Sequence, residues 1–161
     1  MVVCSNIKMS TPINILLIGD GGVGKTTWLK SLKTGEFEKN YCATVGAEVH
    51  PMTFDGVAVN VWDVAGQNQY IQTRRPYYEK ADAAIIMYDV THEGSYKSAG
   101  DWFDNIRLYS STIPIALVGN KIDDEENRKV SGGSYIMPNF DISVKNKQNR
   151  SAPFKWIVKN K

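Results

Sequence analysis

Short apolar runs alternate along the chain with stretches whose apolar positions recur every three or four residues. Ile15 to Ile18, Ala83 to Val90 and Ile113 to Gly119 are near-continuous apolar runs of strand length, as strands buried on both faces must be. Pro114 fits only at the start of the last one, because it has no N–H to give to a ladder. Trp28, Leu29 and Leu32, closed by Gly35, mark one face of a helix starting near Lys25, and Ala99, Trp102, Phe103, Ile106 and Tyr109 mark another despite Gly100. Val49 to Phe54 and Val57 to Trp62 flank Asp55-Gly56, a two-residue hairpin signal, and form the one antiparallel element. Tyr135 to Ile142 reads as a last strand interrupted by Pro138, and Phe154, Ile157 and Val158 as one face of a short final helix.

This alternation predicts an α/β fold: a six-stranded, mostly parallel sheet with one antiparallel edge strand, flanked by about five helices in three layers. Residues 1–12 read as a flexible N-terminus and 13–161 as a single domain. Glu36 to Val49 has no clear period and is long for a connector, which marks it as a functional loop.

Composition narrows the function classes. The chain has 161 residues, 42% hydrophobic and 22% charged, and its net charge of +2 is too small to argue for nucleic acid or a membrane surface. No apolar run approaches the roughly 18 residues of a membrane span. Cys4 and Cys42 lie far apart, so a soluble protein of a reducing compartment is expected. Neither lies near Lys161, where a prenylation box would be.

Candidate chemistry begins at Gly19. The stretch G-D-G-G-V-G-K-T-T to Thr27 fits G-x-x-x-x-G-K-[ST] at Gly19, Gly24, Lys25 and Thr26. Asp20, Gly21, Gly22, Val23, Gly24, Lys25, Thr26 and Thr27 would cradle phosphate oxygens, with Lys25 as a point charge and Thr26 as a hydroxyl for Mg²⁺. Backbone N–H groups must turn inward there, and a Cβ at the tightest points would block the approach. A helix beginning at Lys25 adds its positive end. Asp63 closes a strand and opens D-V-A-G-Q, placed to hold Mg²⁺ through water. Gly66 offers an unshielded N–H to a γ-phosphate, and Gln67 is suited to orient an attacking water. Thr44, in the long loop, could reach both the metal and the γ-phosphate, which makes that loop a switch released when the phosphate leaves. Catalytic roles are expected for Gln67, Lys25 and Thr44, and metal roles for Thr26, Thr44 and Asp63.

Asn120-Lys121-Ile122-Asp123 follows an apolar strand. A carboxylate at Asp123 can accept from the N1–H and N2–H₂ edge of guanine, where adenine would leave it unpaired. Lys121 would lie along the base plane and Asn120 would tie this loop to the phosphate loop. Ser143, Val144 and Lys145 complete the pocket, with a backbone N–H of Val144 or Lys145 for the guanine O6. Phe37 is a candidate to stack on the base.

These motifs, together with T-G-E-F-E-K-N-Y-C-A-T-V-G-A-E-V-H-P from Thr34 to Pro51, A-A-I-I-M-Y-D-V-T and D-I-S-V-K, resemble the Ras superfamily of small GTPases, and within it the Ran family. The likeness spans about residues 13 to 160 and implies the P-loop NTPase fold, a GTP phosphohydrolase using Mg²⁺, and a GTP/GDP switch. It also implies an exchange factor, an activating protein and importin- or exportin-type receptors as partners, in nucleus and cytoplasm, with a monomer and no membrane anchor. The chain departs from the Ran pattern from Asn68 to Lys80, at Val64, in its tighter hairpin, and in ending without that family's acidic extension. A GTP-binding interaction protein or decoy with little turnover is the alternative. A P-loop ATPase or small-molecule kinase is disfavoured by N-K-I-D and by the absence of an arginine-rich lid.

Overall fold

The computed structural model describes residues 11–40, 42–66 and 71–161. Its elements, in chain order, are β1 (Ile13–Ile18), α1 (Lys25–Thr34), β2 (Ala47–Phe54), β3 (Val57–Val64), α2 (Ile71–Lys80), β4 (Ala83–Asp89), α3 (Glu93–Tyr109), β5 (Ile115–Asn120), β6 (Asn139–Asp141) and α4 (Ala152–Asn160). The sheet order is β2-β3-β1-β4-β5-β6. Only β2 and β3 run antiparallel, and every other pair is parallel. The hairpin turns at Asp55 (φ 48°) and Gly56 (φ 81°), the two positive φ values that a tight turn matched to strand twist requires. β2 lies at the sheet's edge, where Pro51 can sit with its missing donor on the open side.

Alternate side chains of the central strands feed two cores, because a strand's side chains point to opposite faces in turn. Ile15 and Leu17 of β1 join Trp28, Leu29, Ile85, Met87, Phe154 and Ile157 beneath α1 and α4. Leu16 and Ile18 join Tyr78, Ile86, Tyr88, Trp102 and Ile106 beneath α2 and α3. Phe154 stacks on Phe54 with ring centres 4.5 Å apart and tilts against Trp28 at 4.7 Å. The indole of Trp28 donates to the carbonyl of Arg150, and Arg150 donates to the carbonyl of Ser31 at 2.8 Å, which pins α1 to the approach of α4.

One expectation is corrected, and another is refined. Four α-helices and one 3₁₀ helix are present among the described residues, in keeping with the about five expected, and the connection from Lys121 to Pro138 holds only the 3₁₀ turn at Glu125–Asn127. That connection has no apolar stripe at helical spacing, and Gly132 and Gly133 take φ values of 74° and 92°. Val130, Tyr135 and Met137 instead pack on the α3 side as isolated anchors, with Tyr135 edge-on to Tyr96 at 5.1 Å. The last strand is correspondingly Asn139–Asp141 rather than Tyr135 to Ile142. Pro138 precedes it, and its carbonyl accepts from the N–H of Leu117. No helix among the described residues is long and apolar enough to cross a membrane.

Candidate functional site

The turn between β1 and α1 is shaped by backbones that meet without side chains. Gly19 has φ 148° and lies against the carbonyl of Met87 in β4, so any Cβ there would collide with it. Gly24 (φ 107°) is the N-cap of α1, and a Cβ on it would stand 2.5 Å from the side-chain nitrogen of Asn120. No side chain caps α1 and its first turn carries no acid. Its open N–H groups and positive end therefore face the cleft, an arrangement suited to an anion.

Lys25 is buried, and its ammonium donates to the carbonyls of Gly19 at 2.8 Å and Asp20 at 2.9 Å. Burial lowers its pKa to about 8, with Asp63 and Asp20 opposing the shift and Arg74 adding to it. The site thus holds a strained positive charge that a phosphate would relieve.

Beside it three oxygens converge. The hydroxyl of Thr26 donates to Asp63 Oδ2 at 2.5 Å and lies 2.8 Å from the hydroxyl of Thr44. β3 carries Asp63 to this point in register with Leu17 of β1 and Glu48 of β2. The carboxylate is fully buried, and its Oδ1 has no hydrogen-bond partner among the described residues. Burial raises its pKa, and the Thr26 hydroxyl and Lys25 pull it back. A hard, oxygen-seeking cation fits this corner. No group of three His, Cys, Asp or Glu side chains placed to hold a metal ion exists among the described residues, so phosphate oxygens and water would have to complete the shell, as is usual for Mg²⁺.

At the other end Asn120, the last residue of β5, joins two loops. Its Nδ2 donates to the carbonyl of Val23 at 3.0 Å and its Oδ1 accepts from the N–H of Val144 at 3.2 Å. The Val144 amide is therefore engaged, which leaves that of Lys145 for a base carbonyl. Asp123 accepts from the hydroxyl of Ser143 at 2.5 Å and lies 3.7 Å from the ammonium of Lys145. Lys121 takes a positive φ of 70° and reaches back to the Gly22 carbonyl at 3.2 Å and to Asp89 at 2.5 Å. Burial works against the charge on Asp89, but Lys121 and Thr91 overcome it and hold the carboxyl below its usual range.

The two ends line one cleft of about 620 Å³, within the range of small-ligand sites. Of the residues singled out in the sequence, Gly19, Asp20, Val23, Asp63 and Ser143 lie behind its wall, while the rest of the phosphate loop, Phe37, Thr44, Gly66, Asn120, Lys121, Asp123, Val144 and Lys145 line it. Phe37 stands at its mouth, 38% exposed. Gly66 packs on the phosphate loop, where a Cβ would lie 2.7 Å from the N of Gly21. Gln67 lies outside the described residues.

Three participants were not anticipated. Asp89 holds Lys121, and the D-V-T run was its only mark in the sequence. Trp102 donates its indole N–H to Asp20 Oδ1 at 2.8 Å. Arg74 is 2% exposed, lies 4.7 Å over the Trp102 ring and donates to the carbonyl of Ala65 at 2.7 Å. Nothing in the local sequence distinguishes it from Arg75, which is exposed and paired with Glu79.

The lowered pKa of Lys25 has a measurable sign. A bound phosphate favours the ammonium and raises that pKa, so phosphate-ligand binding at pH 8 to 8.5 should take up a fraction of a proton, and affinity should weaken as pH rises through this range. Calorimetric titration with a nucleoside diphosphate in two buffers of different ionisation enthalpy reads the uptake. Lys25→Arg, which does not titrate there, should abolish it.

A family model described as the Ras family matches residues 14–161, from the first strand through the last helix. The order β2-β3-β1-β4-β5-β6 with its single antiparallel pair is the sheet such a chain requires. The protein is a GTP-binding and GTP-hydrolysing switch, and the chain belongs to the Ras family of small GTPases.

Proposed function

We propose that this chain is a Ran-type switch of nucleocytoplasmic transport, in which Asp123 selects guanine and Lys25, Thr44, Gly66 and Gln67 report and remove the γ-phosphate. One observation carries the assignment of the site: Asn120 bonds both to the phosphate loop at Val23 and to the loop after β6 at Val144. The phosphate end and the base end are thereby set at one fixed spacing. Asp123 is pre-oriented by Ser143, so a guanine edge would meet a fixed acceptor rather than order a mobile one.

In this reading Lys25 supplies charge to the β- and γ-phosphates, and the N–H groups at the start of α1 complete the cradle. Thr26, Thr44 and Asp63 would hold Mg²⁺, which when bound neutralises phosphate charge. Gly66 would donate its amide to the γ-phosphate and Gln67 would orient water. No arginine lines the cleft among the described residues, so unaided hydrolysis is slow, on the Ras scale of ~10⁻⁴ s⁻¹. The transport role rests on the likeness of Thr34 to Pro51 to Ran, and it implies exchange, activating and importin- or exportin-type partners in nucleus and cytoplasm.

Three outcomes are expected. Asp123→Asn should lose roughly 2–4 kcal/mol of GTP affinity and gain affinity for xanthosine triphosphate, whose 2-carbonyl accepts where guanine donates. Unchanged GTP affinity would remove Asp123 from base recognition. In single-turnover assays, hydrolysis should stay near the unaided rate, accelerate with a Ran-activating protein, and lose that acceleration in Gln67→Leu. A chain that binds GTP yet never responds to the activator would instead be a binding protein with little turnover. Finally, immobilised protein loaded with a non-hydrolysable GTP analogue should retain purified importin-type receptors that the GDP-loaded form releases. Equal retention in both states would refute the transport assignment.

A further inference from the structure

Two of the unanticipated residues form a closed path with the phosphate loop. Asp20 Oδ1 accepts from the Trp102 indole at 2.8 Å. The guanidinium of Arg74 lies 4.7 Å above the same ring, and it donates to the carbonyl of Ala65 at 2.7 Å. Ala65 leads directly into Gly66, whose Cα is so close to the loop that a Cβ would lie 2.6 Å from the carbonyl carbon of Asp20. The path therefore leaves the phosphate loop through a side chain and returns to it through a backbone.

Its members come from four separate parts of the chain: the loop after β1, the segment just after β3 at Ala65-Gly66, the first half of α2 and the middle of α3. Arg74 is 2% exposed, among the largest fully buried side chains of the protein. Burying a guanidinium is costly, and burial here lowers its pKa from the usual arginine value. A flat face over an aromatic ring and directed N–H donors offset that cost in a way a lysine cannot reproduce. One turn further on, Tyr78 stacks on Tyr109 at 5.5 Å, so α2 meets α3 through two stacked pairs. Arg74 belongs to the pair nearer the cleft.

We infer that Arg74 is a positioning residue for the γ-phosphate: it holds the Ala65-Gly66 backbone against the phosphate loop, using Trp102 and Asp20 as its anchor. The inference rests on the proposed role of the Gly66 amide as a γ-phosphate donor. An equilibrium shifts between nucleotide states only through differential contacts, and this clamp acts on the amide that only the triphosphate would engage. Its loss should weaken triphosphate binding and leave diphosphate binding, which depends on the start of α1, Lys25 and the base loop, nearly intact. Trp102, clamped between Asp20 and Arg74, should sense the same change.

The test uses the full chain labelled with 5-fluorotryptophan, which gives four ¹⁹F resonances. The resonance lost in Trp102→Phe identifies Trp102. In the wild type it should differ between GDP and non-hydrolysable GTP-analogue complexes. In Arg74→Met that difference should collapse, and the ratio of analogue to GDP affinity should fall about tenfold with GDP affinity within about twofold. Arg74→Lys should not rescue it. Trp102→Phe keeps an aromatic face for Arg74 but loses the indole N–H to Asp20, and should lower the ratio by a smaller factor; it serves as the deciding variant if Arg74→Met does not fold. An unchanged affinity ratio in a folded variant, or full rescue by lysine, overturns the clamp. If the Trp102 resonance responds to Arg74→Met but Gly66→Ala, whose Cβ would press on the phosphate-loop backbone, leaves the ratio of analogue to GDP affinity unchanged, the Gly66 role beneath it fails instead.

Discussion

The close approach of bare backbones at the phosphate loop is the constraint on which the rest depends. Gly19 rests on the Met87 carbonyl of β4, and Gly66 rests on the loop from the β3 side. Neither contact leaves room for a Cβ, so β1, β3 and β4 can converge on the loop only with glycine at both points. The loop is thereby wedged between its own sheet and the segment that enters α2. Anything that moves that segment moves against the phosphate loop directly.

Electrostatics completes what the glycines allow. Lys25 and Asp63 are both buried, and burial disfavours the charged form of each. Their mutual attraction and the Thr26 hydroxyl offset part of this cost. The remaining imbalance, an ammonium with a lowered pKa and a carboxylate oxygen without a partner among the described residues, is the physical form of readiness for a phosphate and a cation. The opposite end of the cleft shows the contrasting solution, since Asn120, Lys121 and Asp123 are all satisfied by protein partners.

Much of the fold was legible in sequence because its signals are local. Near-continuous apolar runs marked β1, β4 and β5, since strands buried on both faces keep polar residues to their ends, as with Asp89 and Asn120. Asp55-Gly56 marked the hairpin because few other pairs accept two positive φ values. The connection between β5 and β6 was less legible: Tyr135 and Met137 look like alternating strand residues, yet both turn back as anchors on α3. Their partners lie roughly forty residues away, and no local pattern encodes such a contact. The same holds for Trp102, which in sequence is only one more apolar position on the face of α3.

From the sequence alone came the phosphate loop, the acid at the end of β3, the N-K-I-D run and the order of strands and helices, because each rests on neighbouring residues or on a fixed period. Only the tertiary structure decided that Asn120 also takes the Val144 amide, that Asp89 holds Lys121, and that Arg74 rather than Arg75 turns inward onto Trp102. Those choices depend on which distant surfaces become neighbours once the sheet has formed. A buried charge or amide then takes whatever partner lies within reach, because leaving it without one costs more than any local preference can offset.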